Sequence, residues 1–166
     1  MVRTGIVAAL VFVAGGLGVG QHQHEAGGPI STLTAEQVEQ LRAGDGMGLA
    51  KAAEVNHHPG PKHALELATE LGLTRAQTDR VTAIRERMLA GATRIGAAII
   101  EEETTLHMMF ANRHVTDASM RAQVTEIAAL QGELRATHLA AHLEMVQVLT
   151  AEQVKRYDEL RGYTKQ

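Results

Sequence analysis

The sequence predicts an all-α protein built on one long antiparallel helical hairpin with short helices flanking it. Three observations carry that prediction. The chain writes Leu-Thr-x-x-Gln three times, at 33–37, 73–77 and 149–153. Two long stretches, Val81 to Phe110 and Met120 to Val148, place apolar residues mostly at steps of three and four, the period of one helix face. Hydrophobic residues make up 45% of the 166 but aromatics only 2%, with no Trp. The core must therefore come from Leu, Val, Ile, Ala and Met, which suits long helices better than a sheet sandwich.

Each Leu-Thr-x-x-Gln reads as a helix start. The Thr hydroxyl accepts from the backbone N–H three residues on, and the Gln side chain reaches back to the N–H of the Thr. The preceding Leu can staple to the fourth helical residue, Val38 in the first copy and Val154 in the last. The motif is thus structural rather than catalytic.

In chain order, residues 1–20 carry one early Arg (Arg3), then an uncharged apolar run with late glycines. This is the layout of a secretory signal, and it is short for a membrane span, which takes about 20 apolar residues. Cleavage after Gly20 would release the chain, and retention would anchor it on the same outer side, so the domain is expected outside the cytoplasm. Residues 21–32 form a polar Gly/Pro-containing linker with His22 and His24, and 33–166 form the helical domain. A first short helix is expected over 35–43, ended by Gly44-Asp45-Gly46, and a second from Met47 to Asn56. Pro59 and Pro61 force a turn, and Pro61 suits the first position of a helix over 61–71. The long helix from Thr74 should run to Ala111, about 55 Å at 1.5 Å per residue. After a turn at 112–116, capped by Thr116 or Asp117, its partner should continue to Val148. Thr150 opens the last short helix.

The candidate chemistry sits on the second long helix. At roughly 100° per residue, His138, His142 and Met145 share one stripe. Two imidazoles and a thioether suit copper, whereas imidazole with carboxylate suits zinc, nickel or cobalt. His138 and Met145 also occupy seam positions, where plain packing is the competing reading. His142 lies beside the seam. A further ligand is expected from His58, His63 or Glu66, if the Pro-Gly-Pro turn packs against this end of the hairpin. At the hairpin tip, His107, Met108, Met109, His114 and Met120 form a second cluster, with Phe110 beside it. It reads as a soft-metal binder, as an adaptable apolar surface for unfolded clients, or as simple closure of the hairpin.

Several classes are excluded. With no Cys, neither a disulfide framework nor thiolate metal chemistry is available. A formal net charge of −3 gives no footprint for nucleic acid. No nucleophile–base pair, phosphate loop or dinucleotide fingerprint occurs, so the expectation is a protein without enzymatic activity or organic cofactor.

Long helices introduced by LTRAQ (73–77) and LTAEQ (149–153), behind a signal and without Cys, resemble the Spy/CpxP family of periplasmic stress proteins. The pattern is also similar to the related heavy-metal sensors of the ZraP and CnrX type, and the resemblance covers about residues 61–160. It implies a helical hairpin, often a homodimer, whose surface shelters unfolded clients or binds metal. In CnrX-type sensors the ligands include an HxxxH near the first helix and an HxxxM on a later one. Here the HxxxH is His138–His142 on the later helix. The leading expectation is a metal-sensing or metal-buffering protein using His138, His142 and Met145 with His63 or His58. The alternatives are an ATP-independent chaperone using Met108, Met109 and Phe110, and a membrane-tethered regulatory partner of a signalling system.

Overall fold

The computed structural model describes residues 32–163, which form helices and turns with no strand. The helices are α1 (Ala35–Ala43), α2 (Lys51–Glu54), α3 (Pro61–Glu66), α4 (Arg75–Ala111), α5 (Asp117–Met145) and α6 (Ala151–Arg161). The expected export signal, and the linker up to Ser31 with its His22 and His24, lie outside the described residues.

The hairpin is α4 folded against α5. Arg87 pairs with Glu144 at 2.6 Å and Arg94 with Glu133 at 3.3 Å, which fixes the antiparallel register. These pairs are solvent-exposed, so they report alignment more than they stabilise. The tip turns through Arg113 at φ 56°, and Thr116 caps α5 with Ser119 as the reciprocal partner. The expected seam closes with gaps. Ile127, Leu134, His138, Ala141, Met145 and Val148 are buried, while Val124 is 46% exposed near the tip and Gln131 is exposed at mid-helix.

The short helices depart from expectation where backbone geometry overrides pattern. Met47 and Gly48 both sit at positive φ, so the segment cannot enter a helix there and α2 shrinks to one turn. Leu67 leaves helical geometry at ψ 18°, and the chain turns on to Gly72 at φ 61° rather than continuing α3 to residue 71. Likewise α5 stops at Met145, and a tighter turn delivers Val148 and Leu149 to the core.

Two apolar clusters result. One joins Ala64, Leu71, Val81, Ile84, Ala141, Met145, Val148, Leu149 and Tyr157 at the open end of the hairpin. The other joins Leu41 of α1 to Ala92, Ile95, Ile99 and Leu134. Gly96 makes the second possible, because a Cβ there would collide with the Leu41 carbonyl. Close approach of α4 to α5 occurs instead at Gly91, where a Cβ would stand 3.2 Å from Thr137 Cγ2.

The second and third Leu-Thr-x-x-Gln motifs do more than cap. Gln77 Oε1 accepts from Thr74 N–H and Gln153 Oε1 from Thr150 N–H, completing two capping boxes. The two amides also meet each other, with Gln77 Nε2 donating to Gln153 Oε1 at 2.7 Å and Gln153 Nε2 to Gln77 Oε1 at 3.2 Å. Gln77 reaches the Val148 carbonyl and Gln153 the Leu71 carbonyl. Gln37 of the first motif makes only its own cap. We expect Gln153→Ala to cost about 2 kcal/mol in chemical denaturation, a cap plus the long-range bonds. Gln37→Ala should cost about 1 kcal/mol or less. Equal losses at the two positions would contradict a clasp between the motifs.

Candidate functional site

A cavity of about 350 Å³ opens between the two apolar clusters. Its wall includes His138 and His142 from α5, Met88 and Arg85 from α4, and His63 from α3. Glu54 and the Asp45–Gly46 turn close it from above the hairpin. The Pro-Gly-Pro turn does pack at this end of the hairpin, and of the expected third ligands only His63 lines the wall.

His142 is 5% exposed, not solvated as its place beside the seam suggests. Its Nδ1–H donates to the His58 carbonyl at 2.8 Å, which leaves the lone pair on Nε2. Gly60 provides the space for that nitrogen. A Cβ at Gly60 would stand 2.9 Å from His142 Cε1, 3.3 Å from Nε2 and 3.5 Å from Glu54 Oε1. One donor nitrogen and one carboxylate oxygen thus flank a point kept open by a missing side chain.

His138 is 3% exposed, and its Nε2 has no hydrogen-bond partner among the described residues. A buried imidazole nitrogen without a partner costs about 1–3 kcal/mol and is the kind of group that marks a ligand site or an ordered water. The ring's Nδ1 edge lies nearest Gly46, 3.9 Å from where a Cβ would be. Burial, and then the neighbouring His142, hold His138 below the ordinary imidazole value, with Asp45 pulling the other way. The neutral form that results is the one that ligates metals.

The remaining sequence-derived candidates are placed differently. The His63 Nδ1 is tied to Glu66 at 2.7 Å, a bond that holds the Glu66 carboxyl below its ordinary value. The His58 ring bonds the Asn56 carbonyl at 2.6 Å and is not part of the wall, so this residue contributes through its own carbonyl, as the group orienting His142. Met145 is fully buried in the lower apolar cluster and is no part of the wall. The methionines that line the cavity are Met47 and Met88. At the tip, Met108 and Phe110 are 47% and 56% exposed and Met109 is half-buried. His107 there joins Leu106, Phe110 and Ala111 around an apolar recess.

Glu54 and Arg85 carry no spacing signal in the sequence, because the contacts that bring them to the wall are long-range, whereas Met88 belongs to the three- and four-residue stripe of α4. The same holds for the α6 residues that pin the loop beneath His142. Tyr157, whose phenol burial pushes up to about 12, accepts from Gly60 N–H at 3.2 Å. The buried Asp158 pairs with His57 at 2.6 Å, and Tyr163 donates to Glu54 at 2.9 Å.

Chemically, the site offers two buried imidazoles, with a carboxylate beside one of them, in a partly closed gap. That donor chemistry fits a transition metal. Among the described residues, however, no group of three or more His, Cys, Asp or Glu stands close enough to hold an ion between them.

The His138 environment has a pH signature. Because its folded value lies below 6.5, the unfolded chain takes up this proton at higher pH than the folded one. Stability is therefore retained above about 6.5 and lost as the pH falls below it. Equilibrium denaturation should show that loss as the pH falls below about 6.5, and His138→Gln should flatten the slope. An unchanged slope in the variant would contradict the assignment.

Among the described residues no helix is long and apolar enough to cross a membrane. No curated protein and no solved structure matches the chain. A family model, described as LTXXQ motif family protein, matches residues 59–161. That span runs from the Pro-Gly-Pro turn through the hairpin to the end of α6 and contains His63, His138 and His142. By that match over more than half its length, the chain belongs to the LTXXQ motif family, a non-enzymatic family of typically periplasmic, Spy/CpxP-like proteins.

Proposed function

We propose that this is an exported metal-binding protein that takes a divalent transition-metal ion into the cavity through His138 and His142. The observation that carries the reading is the His142 Nδ1–H bond to the His58 carbonyl at 2.8 Å. A metal-ligating histidine typically has its second nitrogen fixed in this way, which sets the tautomer and aims the other lone pair. The space over Gly60 and the neutral His138 alongside support the same reading. Copper, zinc, nickel and cobalt all suit imidazole donors. Met47 and Met88, rather than Met145, are the thioethers that would favour copper. With a partial protein donor set, the role is sensing or buffering rather than permanent structural retention.

Titration calorimetry of the chain with Cu(II), Zn(II), Ni(II) and Co(II) should give one site tighter than about 10 µM for at least one of them. The His138→Ala/His142→Ala variant should weaken it at least tenfold. No binding in that range, or unchanged binding by the variant, would overturn the proposal.

A second reading, an ATP-independent chaperone, is favoured by one feature, the exposed Met108 and Phe110 beside the apolar recess at the tip. Exposed apolar groups of this kind mark contact surfaces. On that reading, metal-free protein suppresses aggregation of an unfolded client in light scattering, and Met108→Ser/Phe110→Ser abolishes the effect. Full suppression by the variant would remove it.

A further inference from the structure

Two acceptors on the cavity wall are each fixed from behind and open in front. The His142 Nδ1–H is held by the His58 carbonyl, and its Nε2 has no partner among the described residues. The Glu54 side chain, only 16% exposed, meets the Tyr163 hydroxyl at 2.9 Å and Lys51 at 3.8 Å through Oε2. Its Oε1 has no partner among the described residues either. Neither free atom is sealed from solvent. They converge on one place, Nε2 at 3.3 Å and Oε1 at 3.5 Å from where a Cβ on Gly60 would stand. Two pre-set acceptors facing one space call for a hydrogen-bond donor between them. An ammonium suits that place, since its three N–H groups need acceptors but no closed coordination shell.

The opposite charge stands on α4. Arg85 is half-buried on the same wall and makes neither a hydrogen bond nor an ion pair among the described residues. Its neighbours on that helix, Arg87 and Arg94, both reach carboxylates on α5. A half-buried guanidinium without a partner is a fork shaped for a carboxylate. The space these groups line, about 350 Å³, lies near the lower end of the range for small-molecule sites.

We infer that the cavity binds a small zwitterion, a free amino acid, with its ammonium at His142 Nε2 and Glu54 Oε1 and its carboxylate on Arg85. This goes beyond the metal-binding reading and needs no metal, although it uses the same His142 nitrogen. A simple amine leaves Arg85 unpaired, and a simple acid leaves the Glu54 oxygen unpaired. The wall therefore selects for both charges on one molecule.

Titration calorimetry of the metal-free full chain with the free amino acids and γ-aminobutyrate tests it, with butylamine and butyrate as one-charge controls. The expected result is a Kd below about 1 mM for at least one zwitterion, and binding of both controls at least tenfold weaker. Glu54→Gln and Arg85→Gln should each weaken that zwitterion at least tenfold, whereas Arg94→Gln, on the solvent face, should leave it unchanged. No zwitterion in that range, controls that bind as tightly, or unchanged binding in both cavity variants would overturn the inference. The ranking of ligands is read on wild type, so a folding defect in a variant leaves the test intact. Because no metal is present, failure here leaves the metal-binding reading standing, and loss of metal binding leaves this one.

Discussion

The reciprocal amide pair between Gln77 and Gln153 is the constraint from which the site follows. It ties the first turn of the longest helix to the first turn of the last one, and it anchors both to the carbonyls of Val148 and Leu71. Each glutamine also completes its own cap, so neither amide can move without leaving backbone N–H groups unsatisfied. With α6 held there, Tyr157 and Asp158 fall onto the 57–60 loop, and that loop presents the His58 carbonyl to His142. A motif that looks like three independent helix starts is therefore, in two of its copies, a clasp that sets the position of an imidazole about a full chain-fold away.

The second constraint is the gap between the two apolar clusters. Continuous packing along α4 and α5 would place Leu or Ile at positions 138 and 142, and such cores are as dense as organic crystals. The chain instead buries two imidazoles there, leaves one nitrogen without a partner and keeps an unpaired Arg85 on the wall. Each of these opposes stability, and departures from local consistency of this kind concentrate at functional positions. The gap also sits where no short helix covers the hairpin fully, since α1 lies over one cluster and α3 over the other.

Much of the fold was legible because its signals are local. The capping boxes at Thr34, Thr74 and Thr150 start helices where the sequence says they should, and the three- and four-residue steps give the hairpin and its direction. The short helices were less legible, because positive φ at Met47 and the early exit at Leu67 answer to tertiary packing rather than to pattern. The site was legible only in part. His138 and His142 stand out by spacing, and His63 by its place after the proline turn. Helical spacing alone cannot say which side of the stripe meets core, so Met145 reads like a ligand although it packs against Ala64, Ile84 and Tyr157. Glu54 from α2 and Arg85 from α4 reach the wall from segments far apart in the chain, and nothing in their local sequence announces it.

The central claim is that the His58 carbonyl holds the His142 proton on Nδ1 and turns Nε2 toward the space over Gly60, beside a His138 that burial keeps neutral. Long-range proton–nitrogen correlation spectra of the imidazoles at about pH 7.5 read this directly, before and after addition of zinc. The account predicts a single Nδ1–H tautomer for His142 in the metal-free protein, and a metal-induced shift at its Nε2 together with a change at His138. A His142 that averages between tautomers, with neither ring responding to zinc or to any of the other three metals, would contradict it.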